Sequence, residues 1–247
     1  MVSLMVTVIE HYENHLAKYY SWMSGGLTKK LEENRKFFKD HNLRPRSSGV
    51  ALDLGSGPGF QSIPLAELGY QVIAIDLSHQ LLAELKENAK ELPIEIINDD
   101  ILNFSIHSPE TVELVVCMGD TLTHLNTHQN ISRLIKRVYS ALEIDGQVIL
   151  TFRDFTSGLK GLDRFIPVCN DDNTIFTCFL EYEKDYVKVH DIIYEKKNHN
   201  QWELKKSVFN KIRISPQWAR EILQESGFKI DTYDICNSIV CIIAHKV

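Results

Sequence analysis

The 247-residue sequence predicts an α/β fold: a doubly wound, mostly parallel sheet of seven strands whose last strand is antiparallel, with an inserted antiparallel β meander. Three patterns lead to this prediction. Strand-like and helical segments alternate five times up to residue 152, only strand-like segments follow up to residue 214, and three residues separate the last two strands. A gap that short cannot hold a parallel crossover, so the last two strands must form a hairpin.

In the first half of the chain, apolar runs predict buried parallel strands, and amphipathic segments predict the helices between them. The predicted strands are Val50–Leu54, Gln71–Ile75, Ile94–Ile97, Val112–Cys117 and Gln147–Phe152. The predicted helices are Gln61–Leu68, Gln80–Leu92 and His128–Leu142. Pro93 ends the second helix and Asp145-Gly146 ends the third. A further helix is expected near the start, over about Thr7–Lys18.

After residue 152 the segments are rich in β-branched and aromatic residues and are joined by polar turns, which is typical of antiparallel strands. The predicted strands are Arg164–Val168, Thr174–Glu181, Tyr186–Glu195 and Trp202–Ile214, with turns at 170–173 and 197–200. Ser215-Pro216 begins a helix that Gly227 ends. The closing hairpin pairs Phe228–Ile235 with Ile239–Val247.

Composition argues against several classes of protein. A net charge of -6 and a pI near 5.9 provide no basic surface for a long nucleic acid. The five cysteines include no Cys-x-x-Cys pair, which indicates reduced, buried thiols. The start, Met1–Ile9, is apolar but has no basic leader or cleavage site, and no stretch is long enough to span a membrane. We therefore expect one globular, cytoplasmic body, and we leave a homo-oligomer open.

A glycine-rich turn follows the first predicted strand. Residues 51–59 read Ala-Leu-Asp-Leu-Gly-Ser-Gly-Pro-Gly, and the next strand is followed by Asp76. Glycine lets a backbone approach a ligand closely, and a carboxylate at the position of Asp76 can accept both hydroxyls of a ribose. A dinucleotide-binding turn would need glycine where Phe60 stands. A nicotinamide-dependent oxidoreductase is therefore a disfavoured rival.

This turn resembles motif I of the class I S-adenosylmethionine-dependent methyltransferases, and the resemblance extends by motif over about residues 50–155. It implies S-adenosyl-L-methionine as cofactor and S-adenosyl-L-homocysteine as product. In that family the turn packs against the methionine half of the cofactor, and the acid before it helps to hold the ammonium group. The matching positions are Asp53, Gly55, Ser56, Gly57 and Gly59.

The same resemblance implies where the rest of the cofactor binds. Asp76 would bind the ribose, and Leu77 would pack beside the adenine. After the third strand, Asp100 and the backbone of Ile101 would contact the adenine edge, with Asp99 as the competing acid. A solvated loop carboxylate or a turn cap is the structural alternative for either acid.

The segment after the fourth strand resembles the glycine N-methyltransferases, in which a Gly-x-x-x-x-His-Leu stretch lines the cofactor. Met118 and Gly119 are the matching cofactor contacts. Neither an Asn/Asp-Pro-Pro-Tyr pattern nor a Pro-Cys pair occurs here, so a small-molecule acceptor is favoured over a nucleic acid. His124 is a candidate general base. It lies four residues before His128, but no acidic third ligand is near in sequence, so we predict no metal site.

Two further groups are candidates for the acceptor side and the lid. Arg153-Asp154 resembles the Arg-Asn pair of glycine N-methyltransferases near the acceptor, but a carboxylate replaces the amide, so glycine is not carried over as substrate. A surface ion pair is the alternative for Arg153. Tyr20 and Trp22 follow the predicted N-terminal helix, where aromatic rings would cover a sulfonium cation or pack that helix.

The sequence therefore predicts methyl transfer by in-line displacement to a nitrogen or oxygen of a small molecule, helped by alignment and exclusion of water. Two alternatives stay open: a non-catalytic S-adenosylmethionine-binding sensor or regulatory protein, and a methyltransferase acting on protein or RNA. The expected organisation is an N-terminal helical lid (1–49), a cofactor-binding core (50–155), substrate-side strands (156–214), and a terminal helix and hairpin (215–247).

Overall fold

The structure is a computed structural model that describes residues 7–197 and 201–247. Residues 1–6 of the apolar start and residues 198–200 of the predicted turn at 197–200 lie outside the described residues. Strands β1 to β5 are Val50–Leu54, Gln71–Asp76, Ile94–Asn98, Val112–Cys117 and Leu142–Arg153. Strands β6 to β9 are Phe165–Asn170, Thr174–Tyr182, Tyr186–Lys196 and Trp202–Ile212, and β10 and β11 are Phe228–Cys236 and Ile239–Lys246.

The strands form two sheets, as predicted. The seven-stranded sheet has the order β10-β11-β5-β4-β1-β2-β3, in which β11 is antiparallel to its neighbours and the strands from β5 to β3 are parallel. The four-stranded sheet is the antiparallel meander β6-β7-β8-β9. The predicted fold class is therefore confirmed.

Helices cover both faces of the large sheet and one face of the small sheet. They are α1 Val8–His11, α2 Ala17–Met23, α3 Leu27–Asp40, α4 Ser62–Glu67, α5 His79–Ala89, α6 His128–Ala141 and α7 Pro216–Glu225. A π-helical turn, Tyr12–Leu16, joins α1 to α2. Side-chain caps begin four of these helices, at Thr7, Ser78, Thr127 and Ser215.

Three expectations from the sequence were wrong in detail. The N-terminal helix runs past Lys18 to Met23, because the first positive-φ glycines come only at Gly25-Gly26. Tyr20 and Trp22 therefore lie inside α2 and do not follow a helix. Helix α3 was not predicted at all. Strand β5 begins at Leu142 and not at Gln147. It includes Asp145, with a φ of +62°, which was expected to end the preceding helix.

The hydrophobic core lies on both faces of the large sheet. One buried cluster joins the sheet to α6 and α7 through side chains such as Leu134, Phe152 and Leu223. The other joins it to α3, α4 and α5. The inner face of the small sheet packs against Phe155 of the core and against the N-terminal helices. Within residues 7–197 and 201–247, no helix combines the length and the apolar character needed to cross a bilayer.

Candidate active site

A cavity of about 870 Å³ opens where the carboxyl edge of the large sheet meets the small sheet and the N-terminal helices. The glycine turn after β1, the loop after β4 and the end of β5 supply its core side. The inner face of β7 to β9 forms the opposite wall, and α2 with the π turn covers it. Loops at this edge of a parallel sheet are the usual place for a ligand.

The glycine turn has three glycines with different tasks. At Gly55, φ is +83° and a Cβ would lie 2.3 Å from the Thr121 hydroxyl oxygen, so only glycine lets the loop after β4 come this close. Gly57 lines the cavity and donates its N–H to Asp76 at 2.8 Å. At Gly59, a Cβ would lie 2.3 Å from a Leu85 methyl group. Gly59 therefore allows the turn to pack on α5 and is not part of the cavity wall.

Asp53, directly before this turn, is only 1% exposed. Its Oδ2 accepts the Ser62 hydroxyl at 2.5 Å, while Oδ1 has no hydrogen-bond partner among the described residues. Burial raises the pKa of this carboxyl to about 7, although the Ser62 hydrogen bond opposes the shift. A buried acceptor atom without a donor is suited to a cationic group of a ligand.

The other predicted nucleotide contacts lie beside this cavity and do not line it. Asp76 accepts backbone N–H groups from Gly57 and Ser78, both at 2.8 Å, and keeps carboxylate lone pairs for further donors. Asp100 accepts the N–H of Leu102 and so caps a short helical turn. Three more predicted residues lie at this end of the sheet. Leu77 is half-buried, Ile101 is in the core, and Asp99 bonds His107.

The N-terminal helices close over this end of the sheet. Glu13 of the π turn accepts the Ser78 hydroxyl at 2.7 Å, and Ser21 of α2 bonds Glu84 of α5. Tyr20 lines the cavity and stacks on Phe60 with the ring centroids 5.9 Å apart. The other predicted lid residue, Trp22, is not in the cavity wall: it packs half-buried against α2 and the small sheet.

The loop after β4 carries an acid that the sequence did not single out. Asp120 accepts the N–H of Arg153 at 2.9 Å, and its other oxygen lies 2.7 Å from the Lys211 ammonium of β9. Burial alone would raise the pKa of Asp120, but Lys211 and Arg153 outweigh it and hold that pKa at about 2. Met118 and Gly119, which the resemblance assigns to the cofactor, also line the cavity. At Gly119, a Cβ would meet nothing within 4 Å.

The three catalytic candidates lie together in the cavity wall. Arg153 is largely exposed, with its Nε 3.9 Å from Asp120, and Asp154 accepts the N–H of Thr156 at 2.8 Å. His124 has Nε2 3.3 Å from the Tyr12 hydroxyl, and its Nδ1 has no partner within the described part of the chain. Burial lowers the pKa of His124 well below its usual value, so the ring is neutral at pH 7.

Four cavity or near-cavity residues escaped the sequence analysis because they lie outside the recognised motifs. They are His11, Tyr12, Asp191 and Lys211. A signal for one of them exists. In β8 the inward residues Val187, Val189, Asp191 and Ile193 alternate with exposed or half-buried ones. An acid at an apolar position of that alternation indicates a buried carboxylate.

Comparisons with known proteins agree with this geometry. Residues 51–146 match the family described as a methyltransferase domain. A glycine/sarcosine N-methyltransferase from Aphanothece halophytica is 26% identical over 237 residues, which cover 91% of this chain and 84% of that protein. One from Halorhodospira halochloris is 27% identical over 185 residues, which cover 62% and 68%. The chain is a class I S-adenosylmethionine-dependent methyltransferase. Within that class it resembles the glycine N-methyltransferases.

Solved structures share the fold of this methyltransferase. An S-adenosylmethionine-dependent methyltransferase from Clostridium acetobutylicum aligns with a TM-score of 0.72 at 15% identity and covers 94% of this chain and 97% of its own. The sugar N-methyltransferase KedS8 from Streptoalloteichus aligns with a TM-score of 0.71 at 12% identity, covering 93% and 91%. An rRNA adenine N-6-methyltransferase from Corynebacterium diphtheriae is also 28% identical over 103 residues, which cover 39% of each chain.

S-adenosylmethionine is the cofactor of this methyltransferase, and the residues at the carboxyl edge fit it. Asp53 offers a buried oxygen without a donor, which suits the cofactor's ammonium group. Asp76 has free lone pairs for ribose hydroxyls. Gly57 and Gly119 leave space along the cavity wall that a side chain would fill, and the Tyr20 ring presents an aromatic face to a cation.

Proposed function

We propose that this methyltransferase methylates a nitrogen of a small-molecule acceptor. The observation that carries the proposal is the cavity between the glycine turn and the inner face of the small sheet. Its volume of about 870 Å³ is in the range of small-ligand sites, and its far wall is mostly apolar with a few polar groups. The names of the glycine/sarcosine N-methyltransferases, which are relatives over most of this chain, support nitrogen as the accepting atom.

Residues in the cavity wall and beside it have separate roles in this proposal. When bound, S-adenosylmethionine supplies a methyl group on a positively charged sulfur. Asp53 and Asp76 hold the cofactor, and Tyr20 excludes water from above. Because His124 is neutral and its Nδ1 is unpartnered among the residues described, it can accept a hydrogen bond from an N–H of the acceptor and so orient the attacking nitrogen. Lys211 neutralises Asp120 and keeps the loop after β4 in place.

The cofactor site is tested by calorimetry with S-adenosylhomocysteine. We expect Asp76→Ala to weaken binding by roughly 10- to 100-fold, because the ribose hydroxyls lose a charged acceptor. Asp231→Ala is the matched control, since Asp231 pairs with His245 on the edge strand β10 and does not line the cavity. Unchanged affinity in Asp76→Ala would overturn the assignment of the ribose site.

The acceptor class is tested by S-adenosylhomocysteine formation with a panel of small amines that includes glycine and sarcosine. We expect turnover with at least one amine, and a His124→Asn variant that lowers kcat while it leaves cofactor affinity nearly unchanged. If the protein binds S-adenosylmethionine but methylates no amine, alcohol, protein extract or RNA extract, the result would favour the sensor. Turnover only with protein or RNA would favour a macromolecular acceptor.

A further inference from the structure

A polar row crosses the mostly apolar inner face of the small sheet. Cys178 on β7, Asp191 on β8 and Ser207 on β9 are direct cross-strand neighbours. Phe176 and Phe209 flank the row on the same face and are 2% and 3% exposed. Lys205, the residue before Ser207 on this face, is paired with Glu195. Three polar side chains aligned in an apolar wall form a local site, since such groups are stable there only with partners.

Asp191 is the charged member of this row, and its partners are weak. Its side chain is 4% exposed and lines the cavity. One oxygen accepts only the Cys178 thiol, at 3.0 Å, and a thiol is a poor donor. The other oxygen lies 3.1 Å from Nε2 of His11, but the angle does not make a hydrogen bond. In the described part of the chain, no lysine or arginine lies within ion-pair distance of Asp191.

His11 holds Asp191 in place from the outside of the cavity. The ring is fully buried, it stacks on Phe209 with the centroids 3.9 Å apart, and its Nδ1 lies 2.8 Å from the Ser207 hydroxyl. Because Ser207 holds one edge of the His11 ring and Phe209 packs on its face, the ring limits the movement of the Asp191 carboxylate beside it. His11 is therefore a positioning residue.

The contrast with Asp120 indicates what Asp191 lacks. Both carboxylates line the same cavity, and Asp120 has the ammonium of Lys211 at 2.7 Å and the guanidinium of Arg153 nearby. Asp191 has neither kind of partner among the described residues. A buried carboxylate without a lysine or arginine partner gains strongly when a cation with N–H donors enters the site.

We propose that Asp191 binds a protonated amino group of the acceptor, so that the substrate class is small molecules carrying an ammonium group on an apolar body. If this nitrogen is also the one methylated, it must first release a proton to solvent, because an ammonium nitrogen has no lone pair. Phe176, Phe209 and Tyr12 line the cavity beside the row and would contact the apolar body. This proposal rests on the function proposed above, and it names the property by which the acceptor is selected.

The test measures binding and does not depend on turnover. The probes are two pairs that differ only in the polar head: n-butylamine with 1-butanol, and 2-phenylethylamine with 2-phenylethanol. Each is titrated into the protein saturated with S-adenosylhomocysteine at neutral pH. We expect each amine to bind at least roughly tenfold more tightly than its alcohol, because a charge-assisted hydrogen bond to a buried carboxylate is strong. No preference for the amines would overturn the proposal.

Variants assign the preference to Asp191. We expect Asp191→Asn to abolish it, while Glu181→Gln retains it. Glu181 is the matched control, because it is on the same sheet but 43% exposed and paired with Lys188 and His190. A preference that survives in Asp191→Asn would contradict the proposal. Rescue by Asp191→Glu, even in part, would separate a binding role from a structural one.

Two further measurements keep the proposal testable if Asp191→Asn does not fold. Cys178→Ala removes the donor that competes for Asp191, so we expect amine affinity to rise a few-fold, and an unchanged or lower affinity would count against it. Methylation of the amines is measured separately, as formation of S-adenosylhomocysteine. Preferential amine binding without methylation would defeat the proposed function alone, whereas methylation of amines with no loss in Asp191→Asn would defeat this inference alone.

Discussion

Two carboxylates at the edge of the large sheet have pKa values that their neighbours shift in opposite directions. Asp53 is buried with one hydroxyl donor and no cation, and burial raises its pKa to about 7. Asp120 is partly buried, but Lys211 and Arg153 hold its pKa at about 2. The charge of Asp53 is therefore open to control by a bound ligand, whereas the charge of Asp120 is permanent at neutral pH.

The raised pKa of Asp53 predicts a pH-dependent stability. Its folded pKa of about 7 exceeds the ordinary value of 3.8, so the folded state binds the proton more tightly. The free energy of unfolding must then fall as pH rises from about 4 to about 7, by up to about 4 kcal/mol from this group. We expect Asp53→Asn to reduce this dependence of the free energy of unfolding on pH. Urea denaturation of the cofactor-free protein at several pH values measures it. Parallel curves for variant and wild type would contradict the assignment.

Two glycines with positive φ allow a matched comparison. Gly55→Ala would place a Cβ 2.3 Å from the Thr121 hydroxyl, so we expect a loss of several kcal/mol and no measurable binding of S-adenosylhomocysteine. Gly119→Ala meets nothing within 4 Å, so only backbone strain of about 1–2 kcal/mol is expected. Chemical denaturation of both variants measures the difference in stability, and calorimetry of Gly55→Ala measures its binding of S-adenosylhomocysteine. Equal losses would show that contact with Thr121 is unimportant.

Among the elements, the closing hairpin contributes directly to the site. Asn237 and Ser238 connect β10 to β11 with φ values of +49° and +61°, as in a type I′ turn. The carbonyl of Ser238 accepts the N–H of Asp154 at 2.8 Å, and Ser238 itself lines the cavity. A tight turn at the end of the chain thus fixes the position of an acceptor-side candidate.

This turn predicts a stabilising substitution. Ser238→Gly removes the strain of a side chain at positive φ, and we expect a gain of about 0.5–1 kcal/mol, or roughly 1–4 °C in Tm. The control is Ser226→Gly at the end of α7, where φ is -81°. Glycine brings no conformational gain there, so Tm should stay or fall. Differential scanning calorimetry measures the Tm of both variants. Equal shifts in Tm would refute the argument.

For the molecule as a whole, one ion pair joins the two sheets across the cavity. Lys211 is on β9 of the small sheet, and Asp120 is in the loop after β4 of the large sheet, with 2.7 Å between ammonium and carboxylate. The Lys211 side chain is 12% exposed. Because the Asp120 side chain is also only 24% exposed, removing Lys211 leaves a largely buried carboxylate with Arg153, 3.9 Å away, as its remaining positive neighbour.

We therefore expect Lys211→Met to destabilise the protein by roughly 3–5 kcal/mol, and the double variant Asp120→Asn/Lys211→Met to recover much of the loss. Equilibrium denaturation of both single variants and the double variant gives the coupling energy. An exposed pair offers the control: Lys36→Met removes the partner of Asp40 and should cost less than about 1 kcal/mol. Additive losses at Lys211 and Asp120 would refute the coupling.

By itself, the sequence determined the fold class, the position of the glycine turn and the class of cofactor. These depend on local signals: apolar periodicity, glycines where φ is positive, and acids such as Asp53 and Asp76 at fixed distances from strand ends. Helix boundaries depend on more than these signals. The N-terminal helix was expected to end at about Lys18, but α2 continues to Met23. The cofactor contacts assigned to Asp76, Asp100 and Ile101 stay predictions.

Only the tertiary structure decided how the acceptor side of the cavity is built. His11, Asp120, Asp191 and Lys211 come from a helix, a loop and two strands that are far apart in the chain, and no spacing rule connects them. Their chemistry depends on burial and on neighbours across two sheets, so it exists only once the sheets are packed together. For that reason the sequence identifies the methyl donor, and the folded chain is needed to infer the acceptor.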